Sequence, residues 1–392
     1  MIHRIVFSTL VLCLAHGQQG GTPLPPPYHT PSARNGPRII SRPDGAQLQL
    51  PPNFHMDEFA DGFKKPRGLA VGPSGVVIVS DSVANGGVYA LIDADKNHKA
   101  ESRKVLVAGL DRPYGLAFWK NYLYVAESTS VKRYKYDAKA LTVGPGEEVV
   151  PMKDFGQGHW TRALLFDPAG RKLYVGIGSA SDAGPAGPEM RAAINRFNPD
   201  GSGQEIYAAG LRNPTGFAWA PDSKAMWTTV QERDGLGDDL VPDYFTEVKQ
   251  GGFYGWPYAY VGPNEDPRYK GQQTDLVAKT IKPDILLQSH IAVMDVKFYT
   301  GKQFPAEYQG GAFLSTHGSS NRAQRVGYNL LFVPFKKGKP SGPPTEFLSG
   351  WKMGPDKREV WGRPVALLQM PDGSLLLSDD GGNKVWRVSY GQ

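Results

Sequence analysis

Gly62-Phe63-Lys64-Lys65-Pro66-Arg67-Gly68-Leu69-Ala70-Val71 is one copy of a phrase that returns as Gly109-Leu110-Asp111-Arg112-Pro113-Tyr114-Gly115-Leu116-Ala117-Phe118 and as Gly210-Leu211-Arg212-Asn213-Pro214-Thr215-Gly216-Phe217-Ala218-Trp219. Each copy is a Gly-hydrophobic pair, a proline turn and an apolar strand, followed by a second turn and another apolar strand. Weaker copies begin near Trp160, Val293 and Pro364, the last running through Pro371-Asp372-Gly373 into Leu375-Leu376-Leu377. These six copies can each hold a small sheet, and no long amphipathic helix interrupts them. They predict an all-β chain folded as a six-bladed β-propeller, which closes in a ring and leaves only short edges. Gly62 and Gly109 lie 47 residues apart, whereas Pro214 and Val293 lie 79 apart. The later blades therefore carry long loops, where function usually sits.

In such a ring the residue ahead of each innermost strand returns at the mouth of the central channel. That position reads Arg67, Tyr114, Arg162, Thr215, Met294 and Val365. Its polar, basic part predicts an arc suited to a planar anion.

The flanks and composition set the context. Met1 to Arg4 is positively charged, Ile5 to Ala15 is mainly apolar, and Ala15 and Gly17 are small, which is the layout of a signal peptide over residues 1–17. Leu12 precedes Cys13 where a lipoprotein signal would carry a small residue. Cys13 is the only cysteine, so an exported mature chain has none to pair. The Pro/Gly-rich stretch 18–38 reads as a linker, and residues 39–392 as the propeller domain. Gly and Pro number 47 and 33, about a fifth of the chain against about an eighth in ordinary proteins, while 40% of residues stay apolar. That combination means many turns around a real core. The net charge of +6 is spread in mixed sign, with nothing denser than Lys336-Lys337-Gly338-Lys339, so the sequence predicts no nucleic-acid partner. No later segment is apolar enough for a transmembrane span, and an exported protein, periplasmic or extracellular, is expected.

Five further stretches carry a resemblance: Gly158-His159-Trp160-Thr161-Arg162, Gly210-Leu211-Arg212-Asn213-Pro214, Glu232-Arg233-Asp234-Gly235-Leu236-Gly237-Asp238-Asp239, Gly251-Gly252-Phe253-Tyr254-Gly255-Trp256-Pro257, and His317-Gly318-Ser319-Ser320-Asn321-Arg322. In this order, over roughly residues 50–390, they resemble the sorbosone dehydrogenases, in the wider group of soluble glucose dehydrogenases and fungal pyranose dehydrogenases that use pyrroloquinoline quinone (PQQ). The resemblance implies hydride transfer from a sugar or sugar aldehyde to PQQ, with Ca2+ polarising the quinone. It places His159 as the general base, its pKa near neutrality, Asp239 as the carboxylate orienting it, and Arg212 and Asn213 as donors to the quinone oxygens. It also implies calcium ligation by the main-chain carbonyls of Asp234 and Gly235. The three carboxylates of PQQ would be ringed by Arg67, His317, Arg322 and Arg363.

Thr215 stands where soluble glucose dehydrogenases carry glutamine, His317 near their lysine, and Ser320 where the sorbosone group commonly has tryptophan. There is no Cys-x-x-Cys-His haem-attachment sequence, so electrons are expected to leave to an external acceptor, a cytochrome or a quinone. Two other readings stay open at this level: a calcium-dependent sugar lactonase, needing an acidic metal cluster and no basic ring, and a non-catalytic carbohydrate-binding propeller.

Overall fold

The computed structural model describes residues 23–185 and 187–391, so the expected signal peptide lies outside the described residues. The innermost strands of the six blades are Pro66–Val71, Leu116–Trp119, Leu164–Phe166, Pro214–Trp219, Val293–Phe298 and Pro364–Gln369. They are the six copies of the sequence phrase. Each begins an antiparallel sheet of four strands, and the third blade gains a fifth strand, Gly252–Phe253, paired in parallel with Glu205–Ala209. Each inner strand packs against the next, and Pro364–Gln369 returns against Pro66–Val71 to close the ring. The sixth blade takes its outermost strand from the other end of the chain, with Phe54–Ala60 pairing antiparallel to Lys384–Tyr390. This leaves no broad unpaired sheet edge at the seam.

The glycine of the phrase explains the ring's tightness. A Cβ on Gly68 would sit 1.8 Å from the carbonyl oxygen of Tyr114, and one on Gly115 2.3 Å from that of Arg162. Only glycine allows neighbouring inner strands to approach so closely. Outside this ring, buried apolar side chains fill the space between adjacent blades. Ile78 and Val88 meet Leu123 and Val125 between the first two blades. Phe54, Phe313, Phe347, Trp361 and Trp386 pack together between the fifth and sixth. The core is thus a set of wedges around the channel, stabilised at about 25 cal/mol per Å2 of apolar surface removed from water.

The channel itself departs from the expected basic arc. Tyr114, Met294 and Val365 converge, with Trp160 against them, as an apolar plug. Six converging strands leave too little room for solvated charge, so three of the six positions are filled by carbon. Thr215 is buried and donates to the carbonyl oxygen of Val293 at 2.9 Å. Arg162 is fully buried and donates to the carbonyl oxygens of His159, Thr161, Ser128 and Phe155. It organises the loop that carries His159, and only Arg67 of that arc faces the mouth.

The expected linker is also not a free tether where it is described. Tyr28 N–H donates to the Leu236 carbonyl oxygen at 2.7 Å, and Asn35 N–H to that of Ser320 at 2.8 Å. Residues 23–38 therefore lie as a strap across loops at the channel mouth. Their composition carried the proline signature of a linker but gave no apolar period from which docking could be read.

Candidate active site

Above the plug lies a cavity of about 330 Å3 into which the long loops of several blades project. Seven of the residues singled out in the sequence line it: Arg67, His159, Arg212, Asn213, Asp234, His317 and Arg363. Asp239, Arg322 and Gly235 do not.

His159 follows Gly158, whose φ of 73° lets the loop turn against Ala180. Its Nδ1 lies 3.1 Å from the Ser179 carbonyl oxygen and 2.9 Å from Ser179 Oγ. The Ser179 hydroxyl in turn donates to the Ser181 carbonyl oxygen. Both neighbours of Nδ1 are thus acceptors, so Nδ1 carries the hydrogen and Nε2, which has no partner among the described residues, keeps the lone pair. Burial, then the nearby Arg212 guanidinium, push the pKa of His159 down to about 3. The ring is a neutral base, not the near-neutral titrating group expected from the sequence.

Ser179, not Asp239, orients this imidazole. Asp239 is half exposed and pairs with Arg322 at 2.7 Å. Arg322 also donates to the Asp238 carbonyl oxygen. Both residues brace the acidic loop instead of reaching the pocket, because a flexible guanidinium beside two aspartates is satisfied locally. Ser179 carries no motif of its own, and its role follows from lying just beyond the strand Leu173–Ile177.

Arg212 is nearly fully buried. It donates to the carbonyl and carboxylate of Asp182 and to the Gln231 carbonyl oxygen. Three of its five N–H groups are spent and two remain. Asn213 Nδ2 donates to Gln231 Oε1 at 3.0 Å. Across the pocket, Arg67 pairs with Asp380 at 2.6 Å and lies over the Trp160 ring at 4.8 Å. His317 Nε2 donates to the other Asp380 oxygen at 2.7 Å, while burial and the facing Arg363 hold the His317 pKa at about 4. His317 is therefore neutral and spends its N–H on Asp380, which makes it a support for Arg67 more than a cation for a ligand. Arg363 donates to the carbonyl oxygens of His317 and Gly318.

On the remaining side the pocket is acidic. Asp234 accepts from His290 Nδ1 and Asn321 Nδ2, both at 2.8 Å. Asp243 is fully buried, accepts from the backbone N–H groups of Glu232 and Val293, and is pushed up to about 7 by burial. Glu232 Oε2 accepts from Arg233, but its buried Oε1 has no partner. An orphaned carboxylate oxygen and a strained buried acid in one pocket fit a hard cation that binds oxygen. The sequence missed Glu232, Asp243, His290 and Asp380, each of which lies in or near a quoted motif without marking itself as different from a loop charge. Gly235 lines a separate outer cavity. The one group of three carboxylates close enough to share an ion among the described residues, Asp93, Asp95 and Glu101, lies elsewhere, and two of the three are exposed.

The residues present thus fit both a planar polyanion, held between Arg67, Arg363 and Arg212, and a calcium ion on the acidic side. No helix among the described residues is long and apolar enough to cross a membrane.

Known proteins share this fold. The holo form of the pyranose dehydrogenase PQQ domain from Coprinopsis cinerea superposes with a TM-score of 0.73 at 19% identity, covering 89% of this chain and all of that one. An uncharacterized protein of Borreliella burgdorferi is 30% identical over 362 residues, 88% of this chain and 91% of its own length. The Escherichia coli aldose sugar dehydrogenase YliI is 34% identical over 167 residues, 38% of this chain and 42% of that protein. The TrAA12-like family model matches residues 48–243 and 246–390, which takes in all six blades. The chain belongs to the TrAA12-like family.

Proposed function

We propose that the chain oxidises a sugar, an aldose or sorbosone-like sugar aldehyde, using PQQ and calcium, and passes the electrons to an external cytochrome or quinone. The observation that carries this reading is the neutral His159, its Nε2 lone pair unpaired, in the same pocket as the guanidiniums of Arg67, Arg212 and Arg363. PQQ, when bound, would supply the hydride acceptor. In this reading His159 Nε2 takes the substrate hydroxyl proton, Ser179 holds the ring so that Nε2 faces outward, and the two unspent donors of Arg212 stabilise negative charge as it develops. Arg67 and Arg363 hold carboxylates, and Glu232 and Asp243, beside Asp234, hold the metal. Export to the periplasm or outside the cell is part of the same proposal, resting on the amino-terminal sequence.

A lactonase is disfavoured because three arginines line this pocket, a basic ring that a lactonase does not need. The test is to titrate purified protein with PQQ and calcium and follow dye reduction across a sugar panel. Dye reduction that needs both additions and one class of sugar supports the proposal. Its absence in every combination, with the melting temperature unmoved by either addition, would remove it, since a ligand bound only by the native state must stabilise.

A further inference from the structure

The strap at the channel mouth walls a second cavity of about 580 Å3. Ser32, Ala33 and Arg34 form one side and Asp182 and Gly235 the other, and the cavity shares Asp234 and Asn321 with the inner pocket. The inner pocket, at about 330 Å3, lies at the small end of the range for one ligand, so a second ligand needs the outer space. The strap is fixed there by its own side chains. Asp238 N–H donates to Thr30 Oγ1 at 2.9 Å, and Gly237 N–H to Ser32 Oγ at 3.1 Å. Arg325 donates to the carbonyl and side-chain oxygens of Asn35. These bonds leave Arg34 on the cavity wall.

The charges around this cavity are otherwise matched. Asp182 pairs with Arg212, and Asp234 with His290 and Asn321. Arg34 alone of the charged groups lining it has no hydrogen bond or ion pair among the described residues, and it is exposed to the cavity mouth. A ligand entering past the strap meets one uncompensated guanidinium next to hydrogen-bonding groups.

Building on the dehydrogenase reading above, we infer that the strap forms an outer sugar subsite in which Arg34 binds an anionic substituent, so that the preferred substrate is an acidic sugar. Oxidation at C1 of a uronate, which loses a hydride and the hydroxyl proton there, leaves the C6 carboxylate at the far end of the ring, free to enter the outer cavity that Arg34 lines. A sugar phosphate offers a charge of the same sign and serves as the second arm of the test.

The experiment compares kcat/KM for glucuronate, galacturonate and glucose 6-phosphate with that for glucose and galactose, on the PQQ- and calcium-loaded chain and on its Arg34→Ala and Arg34→Glu variants. The acidic-to-neutral ratio is expected above one in the wild type. It should fall about 5- to 20-fold in Arg34→Ala, further in Arg34→Glu, and shrink with added salt, as for a partly exposed charge-assisted contact. A ratio within twofold across all three proteins, or below one in the wild type, overturns the subsite. If the wild type reduces no dye with any sugar, it is the dehydrogenase reading that fails. Calorimetric titration with glucuronate then decides the subsite alone: binding lost in Arg34→Ala supports it, and no binding to the wild type overturns it.

Discussion

Ser179 meets the His159 imidazole twice at a single nitrogen, through its hydroxyl at 2.9 Å and its carbonyl at 3.1 Å. A base oriented by two uncharged oxygens has no carboxylate hydrogen-bonded to it, and burial, then the Arg212 guanidinium, outweigh the more distant Asp234 and lower its pKa. Ser179→Ala keeps the carbonyl contact and loses the hydroxyl. Turnover should fall about tenfold with PQQ affinity held, whereas Asp239→Asn should stay within a factor of about two. Steady-state kinetics with PQQ titration on both variants checks this, and the reverse order of effects would restore Asp239 as the orienting group.

The Arg67–Asp380 pair, with His317 on the second carboxylate oxygen, is largely buried at the pocket wall. Arg67→Ala takes the ion-pair partner from Asp380, leaving it the His317 hydrogen bond, and should cost about 3 kcal/mol of stability as well as PQQ affinity. Arg67→Ala combined with Asp380→Asn should recover much of that stability and none of the affinity. Denaturant unfolding of the two variants, read beside PQQ binding, separates the roles.

Calcium removal offers a third check. Glu232→Gln should abolish the rise in melting temperature on adding calcium, because it replaces the orphaned oxygen's carboxylate, whereas Asp95→Asn in the exposed cluster should leave that rise intact. A calcium response lost in Asp95→Asn and kept in Glu232→Gln would move the ion out of the pocket.

Asp295, half-buried on the inner strand Val293–Phe298, is pushed up to about 6 by desolvation. Its folded pKa exceeds the usual value of 3.8, so the native state holds a proton that the unfolded chain has already lost. Its contribution to stability is present below about pH 4 and disappears as pH rises through about 6. Unfolding free energies measured at steps from pH 4 to 7 should fall less steeply in Asp295→Asn than in the wild type. Parallel slopes would show that Asp295 ionises normally.

The ring was legible because its glycines and prolines recur for a local reason. Gly68, Gly115 and Gly216 sit where adjacent inner strands nearly touch, so the three clearest copies repeat the same punctuation. The closing strand Phe54–Ala60 lies ahead of the first copy and carries none of that punctuation, since it pairs with a strand from the far end of the chain. In the site, motif spacing placed His159, Arg212, Asn213 and Arg67 correctly on the pocket wall. It could not tell which of several neighbouring charges turns inward. Arg162 finds carbonyls on its own and a neighbouring loop and Arg322 a carbonyl and a carboxylate on the acidic loop, while Glu232 and Asp243 are driven inside by the strands next to them. Those choices depend on long-range packing that spacing alone does not record.

The central claim is that His159 is the base, and its replacement tests that claim most directly. His159→Asn, loaded with PQQ and calcium, should bind the cofactor as the wild type does and reduce dye about 10²- to 10⁴-fold more slowly. Because burial holds the histidine pKa at about 3, the acid limb that this residue contributes to wild-type kcat/KM should lie near pH 3, well below the ordinary 6.5, and vanish in the variant. A loaded variant turning over within a few-fold of the wild type, with the same acid limb, would contradict the account.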